Sequence, residues 1–85
     1  MNQQRRKELE ALETLVRGVG MRVSTLCDEE TRERSKLPEA FRCTDQYESM
    51  TWNIIDMENA IRECNDAARY LKKVVERHPK PMETE

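Results

Sequence analysis

The stretch Tyr47 to Val75, YESMTWNIIDMENAIRECNDAARYLKKVV, decides the fold. Its apolar positions are Tyr47, Met50, Ile54, Met57, Ile61, Cys64, Ala68, Leu71 and Val75, in unbroken alternating steps of three and four. That spacing keeps one stripe on one face of an α-helix and is the seam of a coiled coil. The first third of the chain carries a second seam at Leu9, Leu12, Val16, Val19, Val23 and Leu26. Two such seams predict an all-α protein of two long helices, over residues 3–34 and 45–78.

The boundaries follow from local chemistry. Asn2 is placed to cap the first helix, and Asp45 with Glu48 three residues on resembles a capping box for the second. His78 precedes Pro79, which disfavours helical geometry and stops the second helix. Between the helices, residues 35–44 lose the heptad and carry Pro38, which can open a single helical turn. Residues 1–78 thus form one domain, an antiparallel hairpin, and residues 79–85 read as a flexible tail. Glu13–Arg17, Asp28–Arg32, Glu30–Arg34 and Glu58–Arg62 are spaced for ion pairs along the helices, acid first.

Composition agrees with this reading and narrows the function. The 85 residues are 38% charged and 36% hydrophobic, with two glycines and three prolines. Such a chain has no room for the strands and crossovers of an α/β enzyme core. No apolar run exceeds a pair, so a membrane span is not expected. No apolar stretch of the secretion-signal kind follows Met1. Cys27, Cys43 and Cys64 form no Cys-x-x-Cys pair and leave an odd thiol over, which points to a reducing, cytoplasmic setting. A crosslink between Cys27 and Cys43 is conceivable, since both fall near the connection. One histidine and three scattered cysteines offer no zinc-ligand spacing, and no nucleophile has a base beside it. The expectation is a non-enzymatic chain without cofactor or metal.

A hairpin of two helices buries one seam only. Ala60, Ala67 and Val74 are apolar beside the second seam, and Leu15 beside the first, so the apolar face is broader than two helices need. The expected assembly is a homodimer of hairpins, a four-helix bundle. Gly18 and Gly20 interrupt the first helix, either as a weak point or as a place where another backbone comes close.

Two surfaces are candidates for function. Trp52 and Ile55 lie off the seam, and Leu37 and Phe41 are apolar residues of the connection with no seam to join. The simple account folds the connection over Trp52 and Ile55 as a satellite cluster. The functional account makes the four a partner-binding patch, because tryptophan is enriched in interface hot spots. The other candidate is the basic open end of the hairpin, Arg5, Arg6, Lys7, Lys72, Lys73, Arg77 and Lys80, which could meet nucleic acid. The net charge of −2 gives that alternative no overall support. A structural assembly piece is a third reading.

The chain also resembles small helical-hairpin proteins of bacteria, especially of phages and prophages. The similar parts are Arg6-Lys7-Glu8-Leu9, Asp28-Glu29-Glu30, the turn Leu37-Pro38-Glu39, Met50 and Met57-Glu58-Asn59-Ala60-Ile61. The resemblance implies a phage or prophage accessory protein in the bacterial cytoplasm. Small phage proteins of this size often bind and block a host protein, including defence systems. Surface occupancy of such a target is the expected mechanism, and no functional residue is carried over.

Overall fold

The computed structural model describes residues 2–77, and these form two helices joined by a short connection. Helix α1 runs Gln3–Ser35 and helix α2 runs Asp45–Glu76, so each is about 50 Å long. Asn2 caps α1, its side chain accepting from the Arg5 backbone N–H at 2.8 Å. At α2 the cap is Thr44 rather than Asp45. Its hydroxyl accepts from the Tyr47 N–H, which moves Asp45 and Glu48 into the first helical turn. There the two carboxylates face the positive end of the helix dipole. Pro38 precedes one tight 3-10 turn at Glu39–Phe41, the single turn expected in the connection. Arg77 closes α2 with its N–H on the Lys73 carbonyl. The expected stop at His78 and the tail at 79–85 lie outside the described residues. None of the described helices is long and apolar enough to cross a membrane.

The helices pack side by side and antiparallel. Gly20, Cys27 and Arg34 of α1 meet Cys64, Ile54 and Thr51 of α2 in turn, one number rising as the other falls. All nine seam positions of α2 are buried or half-buried. In α1 the seam is shared only in part. Leu9, Val16 and Val23 face α2 as expected, but Leu12, Val19 and Leu26 do not. Glu13, Gly20, Cys27 and Arg34 take their places. Two heptad lines share Leu9, Val16 and Val23, and α1 uses the one turned about 50° from the line its leucines suggest.

The small residues explain that choice. Gly20 lets the backbones close on Cys64, and Cys27 fits beneath Ile54. Arg34 falls in the same phase and closes the connected end. Its guanidinium donates to Thr51 Oγ1 at 3.1 Å and lies 5.6 Å from the centre of the Tyr47 ring. Beside it Asn53 donates to Glu30 at 3.0 Å. Glu30 and Arg34 therefore reach across to α2 instead of pairing along α1. Of the four ion pairs read from spacing, Glu13–Arg17 forms, at 2.9 Å.

The resulting core is thin. Among the described residues only Gly20, Cys27, Ile54 and Ala68 are buried.

Candidate functional site

Rotation of α1 brings polar and small groups into the seam and turns leucines out of it. Leu12, Val19 and Leu26 each keep about half of their surface exposed, and Leu15 keeps 64%. Spaced three, four and seven apart, they form one ridge along α1. The ridge continues onto a definite side of α2. Leu26, Glu29 and Glu30 share a groove with Asn53, Asp56 and Met57, so this side of α2 carries the positions seven and fourteen beyond Asn53. Those are Ala60 and Ala67, both exposed, with Val74 half-buried beyond them. Tyr70 lies one turn past Ala67 and is also exposed. Its ring is flanked by the Arg69 guanidinium at 5.2 Å and the Lys73 ammonium at 5.3 Å. Near the middle of the ridge a shallow depression opens over Gly18, bordered by Leu15, Val19 and Arg22.

The broad face was legible in Leu15, Ala60, Ala67 and Val74. That Leu12, Val19 and Leu26 belong to it was not, because their spacing fits the seam equally well. Gly20 and Cys27, seven apart and small, were the available signal for the other phase.

The four residues expected to bind a partner separate into two environments. Leu37 lies two residues past the end of α1 and is half-buried. Its backbone N–H donates to the Arg34 carbonyl at 3.2 Å, which holds it at the connected end of the hairpin. Trp52 is 57% exposed, Phe41 53% and Ile55 37%. A satellite core over Trp52 is therefore not formed among the described residues; Trp52 stands on the face of α2 turned away from α1, more than half exposed. By the helix period Ile55 turns toward the edge of α2 opposite the leucine ridge, and Trp52 stands on the back of α2 between the two edges.

The basic residues are distributed by the antiparallel pairing. Arg5, Arg6 and Lys7 begin α1 while Lys72, Lys73 and Arg77 end α2, so they gather at the open end. Lys80 lies outside the described residues. Lys72 sits 3.9 Å from the Glu76 carboxylate, and Lys73 is placed over Tyr70.

The cysteines are free thiols in three environments: Cys27 buried, Cys64 half-buried and Cys43 exposed. Cys27 cannot bridge to Cys43. It lies level with Ile54, nine residues into α2, so Cys43 is more than roughly 12 Å further along the hairpin. A disulfide needs Cα atoms within about 7 Å. Burial, with Glu58 and Asp28 adding negative charge, raises the Cys27 thiol above its ordinary value of 9.0. The thiol donates a long 3.9 Å contact to the Ile54 carbonyl. Among the described residues no three His, Cys, Asp or Glu side chains converge as metal ligands would. No protein family, curated protein or solved structure matches the chain.

Proposed function

We propose that this chain is a non-enzymatic protein-interaction module that dimerises into a four-helix bundle and acts by occupying the surface of a protein target. The observation that carries the reading is the leucine ridge. A folded hairpin that turns Leu12, Leu15, Val19 and Leu26 outward has apolar surface suited to another chain and not to water. Trp52 supplies the second element. It stands on a rigid helix, away from the ridge, and the hairpin seam makes no use of it. A dimer joined through the ridge would leave both tryptophans free for a target, with Phe41 and Ile55 on the same molecule as further apolar contacts. Resemblance to small phage hairpins makes a host or antiviral-defence protein in the bacterial cytoplasm the concrete form of that target.

The test pairs mass with capture. Light scattering should give twice the mass of the 10.1 kDa chain. The tagged chain expressed in bacteria should retain one protein in stoichiometric amount. Trp52→Ala should lose that protein while keeping its mass and melting temperature. A monomer that captures nothing, or a capture indifferent to Trp52, overturns the reading.

A further inference from the structure

The leucine ridge has a shape and a charge order that select one occupant. We propose that a second copy of this chain covers it about a two-fold axis parallel to the helices, laying α1 of each copy along α2 of the other. This deepens the interaction-module reading and rests on it.

Shape is the first ground. On the uncovered side α1 presents Leu12, Val19 and Leu26, whereas α2 presents Ala60 and Ala67 at the same seven-residue period. One edge is a ridge and the other a trough. A two-fold axis along the helices sets each ridge over the partner's trough. An axis across the helices sets leucine on leucine and alanine on alanine, and leaves the alanine pair apart. The side spans residues 8–29 of α1, about 32 Å, and is two helices wide, roughly 18–20 Å. That is on the order of 600 Å² per copy, near the roughly 800 Å² of a standard stable interface.

Charge order is the second ground. Rotation about this axis keeps heights unchanged, so α1 residues meet the partner's residues at the level of their own hairpin neighbours. Gly20 level with Cys64, and Glu30 with Asn53, fix those levels. The outer edge of α1 reads Glu8, Leu15, Arg22 in steps of seven. At the matching heights, within about 3 Å, the partner's α2 edge reads Arg77, Tyr70, Glu63. Acid meets base, leucine meets tyrosine, and base meets acid. The exposure of Tyr70 and of Leu15 thereby has a single cause. The next step, Glu29 against the partner's Asp56, is the one like-charged pair.

The decisive experiment exchanges Arg22 and Glu63. Both side chains are exposed in the hairpin, so neither change touches its seam. Sedimentation equilibrium of the full chain at low salt should show a dimer. Each of Arg22→Glu and Glu63→Arg acts twice across the two-fold and should weaken the dimer about tenfold, while the double variant should recover to within about threefold of the original. Circular dichroism confirms that each variant is helical. Singles without effect, or a double variant as weak as the singles, overturn this arrangement but leave the interaction module standing. A chain that is monomeric at every concentration overturns the pairing and the bundle together.

Discussion

Gly20 stands so close to Cys64 that a Cβ built on the glycine falls 3.3 Å from the Cβ of the cysteine. Two residues earlier, a Cβ on Gly18 meets nothing within 4 Å. The two glycines share one helix and one intrinsic cost, about 1 kcal/mol each against alanine. They differ only in what an added methyl would touch. Gly18→Ala should therefore stabilise the chain by about 1 kcal/mol in a thermal or urea melt. Gly20→Ala should fall behind it by about 1 kcal/mol or more, and Gly20→Leu should cost roughly 2–3 kcal/mol by forcing the helices apart. Equal gains at the two positions would show that the close approach is not needed.

The same pair shows how far the sequence could be read. The seam of α2 was fully legible, because its nine positions admit one phase. The seam of α1 admitted two. Hydrophobicity chose Leu12, Val19 and Leu26, and the structure chose Gly20, Cys27 and Arg34. Closeness of backbones and a polar lock at the turn are properties of the pair of helices, and no count of apolar residues along one helix contains them. The candidate site was half legible for the same reason. Trp52, Ile55 and Phe41 are off any seam and stay exposed, whereas the leucine ridge was hidden in what looked like core.

Arg34 is the keystone of the connected end, and its chemistry is specific. It makes a hydrogen bond to Thr51 and lies over the Tyr47 ring, both across the helix pair. Arg34→Ala should cost about 1–2 kcal/mol in urea unfolding, from one hydrogen bond and one cation–π contact. Arg34→Lys should recover little of it, since an ammonium cannot stack flat while donating sideways. Full recovery by lysine would mean that only the charge matters there.

Cys27 gives the hairpin a pH dependence on the alkaline side. Its thiol holds its proton more tightly folded than unfolded, because burial in the seam disfavours the thiolate. The contribution is complete below the ordinary value of 9.0 and declines as pH rises past it. Urea midpoints measured between about pH 8 and pH 10.5 should fall more steeply for the natural chain than for Cys27→Ala. Disulfide-exchange reagents near neutral pH should label exposed Cys43 first and Cys27 last. Rapid labelling of Cys27 in the folded chain would contradict its place in the seam.

Glu29 and Asp56 line the same groove beside Leu26. In the ridge-over-trough dimer the partner's Asp56 comes to the same edge, so two carboxylates face each other there at each of two equivalent places. Replacing one by a cation turns a repulsion into an attraction. Glu29→Lys should therefore tighten the dimer, by about tenfold at low salt with most of the gain lost near 1 M salt. The gain should disappear when Asp56→Lys is added, since the edge is then like-charged again. Glu29→Lys thus strengthens binding where a generic surface change would leave it alone or harm it. A dimer that weakens on Glu29→Lys would show that its edge is not set against α2 of the partner.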